Sequence, residues 1–218
     1  MTQLAIFDCD GTLVDGQANV CAAMEHAFGA AGRAPPPQER IRRIVGLSLP
    51  QAMAALLPDS SAQEHQTLAG LYREAFRAQR AAGLVSEPLF DGIHALLNRL
   101  HGDGWTLAVA TGKSARGLAH CLAKNDIADL FISLQTADDH PSKPHPSMII
   151  SILQQTGMKS DTAVMIGDTS FDMAMAGAAG IRGIGVAWGY HRPAELLVAG
   201  AAGVARDAAD LSKLLRAA

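Results

Sequence analysis

Five short apolar runs constrain this chain more than any other feature: LAIF (Leu4 to Phe7), LAVAT (Leu107 to Thr111), LFISL (Leu130 to Leu134), AVMIG (Ala163 to Gly167) and IGVAW (Ile184 to Trp188). Each lacks helical period and is bounded by Gly, Asp or polar residues, the pattern of strands buried on both faces. Segments of helical period lie between them. They are Phe90 to Leu100, closed by Gly102 and Gly104; Ala115 to Lys124; and Ser147 to Thr156, opened by Pro146 and stopped by Gly157. The alternation predicts an α/β fold, a Rossmann-like doubly wound parallel sheet whose ligands bind outside the carboxyl ends of the strands.

From about Gly16 to Pro88 the alternation stops, and helix-like segments follow one another without a strand pattern. Val20, Met24, Ala27 and Phe28 share one helical face, APPP (Ala34 to Pro37) interrupts as a loop, and Ser60 or Ser61 can cap a long helix running towards Gly83. This predicts an inserted all-α cap of residues 16–88 on a core built from residues 1–15 and 89–218. A chain of 218 residues, 49% hydrophobic, can bury a core and carry a second, smaller domain.

The formal net charge is -3, with acids and bases interspersed; no basic stripe suited to nucleic acid is present. The three cysteines, Cys9, Cys21 and Cys121, have no CxxC spacing, which argues against a disulfide framework or structural zinc and fits a reducing cytoplasm. No basic leader precedes Leu4, and LLVAGAAGVA (Leu196 to Ala205) is too short and glycine-rich to span a bilayer. A soluble cytoplasmic protein acting on a small molecule is expected; oligomeric state is not legible.

What collects at the strand ends carries the chemistry. Asp8 and Asp10 follow the first run, Thr111 and Gly112 close the second, Lys143 follows the third within KPHP, and Asp168 and Asp172 follow the fourth in GDTSFD. Parallel strands bring these ends to one edge. Clustered carboxylates repel unless a cation neutralises them, and an all-oxygen donor set without Cys or clustered His favours Mg²⁺. The lysine and the N–H groups of the Thr-Gly turn then suit a phosphoryl group.

The set DCDGT, ATG, SKPHP and GDTSFD resembles, in order and spacing, the four motifs of the haloacid dehalogenase superfamily of hydrolases. The resemblance implies that Asp8 is a nucleophile forming an aspartyl-phosphate and Asp10 the acid and then base. It further implies Mg²⁺ held by Asp8, the main-chain carbonyl of Asp10, and Asp168, with Asp172 in or beside that set, and phosphate gripped by Thr111, Gly112 and Lys143. The helical insertion matches the family's α-helical cap.

Within the family, Asp10 argues against dehalogenase chemistry. A phosphomutase is disfavoured by Val20 and Leu49 where mutases carry His and Arg, and by Gly167 where they carry Glu. The cap loop VGLSLPQA (Val45 to Ala52), GVAWGYHRPAEL and the closing AGAAGVARDAADLSKLL resemble the phosphoglycolate phosphatases, with pyrophosphate and nucleotides as alternative substrates. Gly46, Ser48 and one arginine of RIRRI, Arg43, are candidate substrate contacts. Departures from the family pattern are Gly16, where Ser or Thr is usual, and Ser147, where an acid often stands. His140 and His145 read as loop residues, Cys9 as an inert buried thiol, and ATGKS lacks the leading glycine of a P-loop, since residue 107 is Leu. A phospho-receiver module is the rival outside enzymes; it lacks a large cap and carries its reactive Asp after a middle strand.

Overall fold

A computed structural model of the chain describes residues 3–216. Strands β1 (Leu4–Phe7), β2 (Thr106–Thr111), β3 (Ser133–Thr136), β4 (Ala163–Gly167), β5 (Arg182–Val186) and β6 (Val204–Ala205) form one parallel sheet in the order β3-β2-β1-β4-β5-β6. The chain steps from β1 through β2 to β3 on one side, then returns to β4 on the other. That reversal at β1 opens the crevice where such sheets bind ligands.

The helices are α1 (Gln17–Ala30), α2 (Gln38–Arg42), α3 (Leu49–Leu56), α4 (Ala62–Ala81), α5 (Ile93–Gly102), α6 (Ala115–Lys124), α7 (Ser147–Thr156), α8 (Ser170–Ala178), α9 (Pro193–Val198) and α10 (Ala208–Arg216). Side chains alternate along β1: Ala5 and Phe7 pack with α5, α6 and α10, whereas Leu4 and Ile6 pack with α7 and α8. Both faces are therefore covered, which is why the runs are continuously apolar. Among the described residues, no helix is long and apolar enough to cross a membrane.

The four helices α1–α4 bury a cluster of their own, including Val20, Met24, Phe28, Ile41, Met53 and Leu68. The face read from sequence is the buried face. Ser61 caps α4 in a reciprocal box with Glu64, whose backbone N–H donates to Ser61 Oγ at 3.3 Å while the Ser61 N–H donates to Glu64 Oε2 at 2.9 Å. The segments entering and leaving this unit run side by side, with Asp15 N–H donating to Pro88 O at 2.9 Å and Val14 bridged to Leu89.

Three expectations shift. The run expected as a strand from Leu130 begins as a 3₁₀ turn, Ala128–Leu130, and pairing starts only at Ser133 opposite Ala108. β3 is an edge strand, so Ile132 and Leu134 of that run face outward at 72% and 41% exposure; its apolar character imitated a doubly buried strand. β5 begins at Arg182 rather than Ile184, because Gly183 and Gly185 are strand glycines set close to Met173 of α8 and Leu196 of α9. The helix expected from Phe90 starts at Ile93, after Gly92 at φ 78°.

Candidate active site

Register places the site. Phe7 lies opposite Ile166 of β4 and Val109 of β2, so Asp8 emerges level with the ends of both neighbours, and its N–H donates to Ile166 O at 2.9 Å. Asp8, Asp168 and Asp172 each offer a carboxylate oxygen within 4.8 Å of the others, and all three are fully buried. Lys143, 1% exposed, reaches from the loop after β3 to Asp8 Oδ1 at 2.9 Å and to Asp172 Oδ1 at 2.7 Å.

Each acid is held separately. Asp8 Oδ1 accepts from the Cys9 N–H at 2.7 Å. Asp168 accepts from Thr12 Oγ1 at 2.8 Å and from the Tyr190 N–H at 2.9 Å. Asp172, in the first turn of α8, accepts from Thr169 Oγ1 at 2.7 Å and from the Thr169 N–H at 3.0 Å. Glycines keep the pocket this tight. A Cβ on Gly189 or Gly11 would collide with the Asp168 carboxylate, and one on Gly167 with that of Asp172.

Burial dominates the electrostatics. It pushes Asp8 up to about 7 despite the opposing pull of Lys143, and it holds Asp168 well above the usual carboxylate range, with Asp172 and Asp8 adding repulsion. Burial alone would lower Lys143; Asp172 and Asp8 outweigh it and raise it. Among the described residues, Lys143 is the ammonium within 4.0 Å of this group, and it meets Asp8 and Asp172. Asp8 Oδ2 is buried without a hydrogen-bond partner among the described residues, an arrangement that costs about 1–3 kcal/mol. An orphaned carboxylate oxygen inside an all-oxygen cluster fits a hard divalent cation and an incoming phosphoryl group.

The other expected residues fall around this cluster. Thr111 is buried at the end of β2, its Oγ1 accepting from the Lys113 N–H at 3.3 Å. Gly112 packs against the loop before α3: a Cβ there would stand 2.5 Å from Gly46 O and 2.7 Å from Leu47 O. Gly46, at φ 97°, lies over Asp8, and a Cβ on it would stand 3.9 Å from Asp8 Oδ2. Ser48 is buried; its N–H donates to Ser142 Oγ at 2.7 Å and its hydroxyl to Gln51.

Two expected residues lie apart. The Asp10 carboxylate is outside the three-acid group and pairs with Lys113 Nζ at 2.7 and 3.0 Å. Arg43, a candidate substrate contact, turns outward instead: its guanidinium pairs with Glu195 of α9 at 2.8 and 3.2 Å. An exposed arginine beside an exposed glutamate on a neighbouring helix finds that partner first. The His191 ring spans the same junction, accepting from the Ser170 N–H at 3.1 Å and meeting Arg43 O at 3.1 Å.

Sequence reading missed Lys113 and Glu87. Lys113 Nζ also pairs with Glu87 Oε1 at 2.7 Å, and Glu87 is 4% exposed. Burial opposes the charge on Lys113, but Asp10 and Glu87 hold it well above its usual range. Lys113 directly follows the ATG motif, where nothing local sets its ammonium apart, and nothing local marks Glu87. The loop histidines are satisfied where they lie: His140 bonds Ser147 Oγ at 2.8 Å and Gln135 Oε1 at 2.7 Å. Cys9 faces Cys121 with sulfurs 3.9 Å apart, and that contact with burial holds the thiol well above its ordinary range.

Beside the acids lies a cavity of about 730 Å³ between the α1–α4 unit and the sheet edge, reaching Asp10, Thr111 and Gly112 on one side and α3 and α4 on the other. Comparison with known proteins agrees with this architecture. The chain is 36% identical over 206 residues to a protein of Dickeya dadantii named a probable phosphatase, IndB, covering 91% of this chain and 87% of that one. It is 28% identical over 198 residues to a phosphoglycolate phosphatase of Pseudomonas fluorescens, covering 88% and 71%. Among solved structures, a haloacid dehalogenase-like family hydrolase of Streptococcus pneumoniae superposes with a TM-score of 0.85 at 25% identity, over 98% of each chain. A hydrolase of Pseudomonas syringae gives 0.84 at 26%, over 100% and 99%. Residues 5–186 match the family described as haloacid dehalogenase-like hydrolase, and with that match, the four motifs at one sheet edge and the reversal at β1, the chain belongs to the haloacid dehalogenase-like hydrolases.

Proposed function

We propose that this protein is a Mg²⁺-dependent phosphatase of small phosphomonoesters, acting through an aspartyl-phosphate on Asp8. The observation that carries the reading is the unpartnered Asp8 Oδ2, buried in a cluster with Asp168, Asp172 and Lys143. The Asp8 oxygen attacks phosphorus as the ester P–O bond breaks, and Asp10, protonated and released from Lys113 for this step, gives its proton to the departing alkoxide. Asp10 then takes a proton from water, which attacks the acyl phosphate; the bond between Asp8 and phosphorus breaks and inorganic phosphate leaves. Lys143 and the N–H groups after Thr111 would hold the phosphoryl oxygens. Bound through Asp8, Asp168, Asp172 and the Asp10 carbonyl, Mg²⁺ would supply the positive charge that lets a dianionic phosphate approach these acids.

Hydrolysis is favoured over phosphoryl transfer within a sugar because Gly167, where a mutase carries Glu, has no room for a side chain beside Asp172. Phosphoglycolate, the substrate named for one relative, is the first ester to assay. The free, buried cysteines support a cytoplasmic location. The test is phosphate release from a panel of phosphomonoesters: EDTA should abolish it and excess Mg²⁺ restore it. Turnover that ignores the chelator overturns the reading.

In the same reading, residues 16–88 are a cap that opens to admit substrate, since Asp8 is fully covered. Gly112→Ala is then expected to lower kcat/KM roughly tenfold, because the new methyl meets backbone carbonyls of residues 46 and 47, which cannot swing aside as a side chain can. Steady-state kinetics beside a thermal melt checks it; an unchanged kcat/KM would mean the loop does not seat on that turn during turnover.

A further inference from the structure

The cavity beside the acids is much larger than a glycolate group needs, and its walls carry more positive than negative side chains. Arg73, Arg77 and Arg80 line it from α4, and Arg116 lines it from the first turn of α6. With Lys113, itself paired with Asp10 and Glu87, that makes five basic side chains, against two acids in the lining, Asp10 and Asp138, in a chain of net charge -3. Both acids are engaged, Asp10 by Lys113 and Asp138 by the Ala115 N–H at 2.8 Å. Among the described residues, none of the four arginines has a carboxylate within 4.0 Å.

The spacing 73, 77, 80 puts three like charges on one face of α4, an arrangement that destabilises a helix unless something answers it. A solvated face would be the ordinary explanation of such a stripe. Here, however, the Arg80 Nε is buried without a hydrogen-bond partner among the described residues, and its guanidinium lies over Phe76, 5.3 Å from the ring centre. Tyr72 and Phe76, with ring centres 5.9 Å apart, add apolar wall beside the charges. Arginine in such surroundings matches phosphate or carboxylate oxygens in a bidentate fork.

We infer that the arginines of α4, with Arg116 opposite, form a second anion subsite, so that the preferred substrate is an organic bisphosphate, one phosphoryl group at Asp8 and the other at Arg77 and Arg80. This rests on the phosphatase reading for its first half only. Because Arg73, Arg77 and Arg116 are exposed, the second attraction should weaken as salt rises.

Two measurements separate the inference from the reading beneath it. In turnover with Mg²⁺, kcat/KM for fructose 1,6-bisphosphate should exceed that for fructose 6-phosphate by at least tenfold, the ratio falling towards one in Arg77→Gln/Arg80→Gln and at raised salt. In calorimetry with Asp8→Asn protein, which needs no turnover, the bisphosphate should bind at least tenfold more tightly than the monophosphate, and the added double substitution should erase the difference. A monophosphate handled as well as the bisphosphate in both measurements, or a preference that survives the arginine substitutions, overturns the subsite. A binding preference that depends on the arginines, in a protein that releases no phosphate from any ester, upholds the subsite and sinks the phosphatase reading. The charge-keeping variant Arg80→Lys, followed by thermal melt, separates lost charge from lost packing against Phe76: binding preference retained in a stable Arg80→Lys protein supports the subsite, and preference lost only where the fold is lost counts against it.

Discussion

Asp8→Asn should reduce phosphate release by roughly 10⁴-fold or more, as removal of a covalent nucleophile does, and should at the same time make the metal-free protein harder to melt above pH 7. The second effect follows from the cost of burying Asp8. Its carboxyl titrates at about 7 in the fold against an ordinary 3.8, so the native state holds a proton that the unfolded chain has released. A group shifted upward contributes stability that is fully present below pH 3.8 and is lost as pH rises through 7. Above that the folded protein carries a buried anion with one oxygen unpartnered. Asparagine is isosteric and uncharged, and Lys143 keeps Asp172 as a partner. The expected gain is about 1–3 kcal/mol, or about 2–4 °C per kcal/mol for a chain of this size. Melting in EDTA at pH 5.5 and pH 8 measures it. Wild type should lose stability relative to the variant across that interval; a variant that melts lower at pH 8 would mean Asp8 is not the strained group.

Site and scaffold were legible to different depths. The carboxyl-end residues could be placed because a parallel sheet maps strand order onto a single edge, so Asp8, Lys143, Asp168 and Asp172 met without any knowledge of side-chain packing. Helix ends marked by local chemistry were also readable: Pro146 and Gly157 bound α7, and Ser61 caps α4 by accepting from the Glu64 N–H. Where the signal was tertiary, reading failed. β6 is two residues in an Ala/Gly stretch and exists only because β5 offers it an edge. Arg43 and the arginines of α4 look alike in sequence, each a cation on a helical surface. Their difference lies in what stands opposite, Glu195 for the first and a cavity wall with Arg116 for the others.

Lys143→Met is expected to be the most destabilising single change in the core, and its cost should depend on metal. The lysine is 1% exposed and, among the described residues, is the one ammonium paired with both Asp8 and Asp172. Methionine fills nearly the same volume, so packing changes little; what is lost is the counter-charge for carboxylates that burial already penalises. Removing one partner of a buried ion pair costs about 3–5 kcal/mol, and here two acids lose it together, with Asp168 alongside. Phosphate release should fall below detection as well, since Lys143 is also the cation facing the phosphoryl group in the proposed mechanism. Electrostatics and packing are then separated by two rescues. Mg²⁺ at saturating concentration should recover part of the stability, because a cation among Asp8, Asp168 and Asp172 replaces charge the lysine supplied. Lys143→Met/Asp172→Asn should recover part of it without metal, by deleting one of the stranded acids. Chemical denaturation in EDTA and in Mg²⁺ reads both. If neither rescue narrows the gap to wild type, Lys143 supports the fold through shape alone, and these carboxylates do not depend on a shared cation.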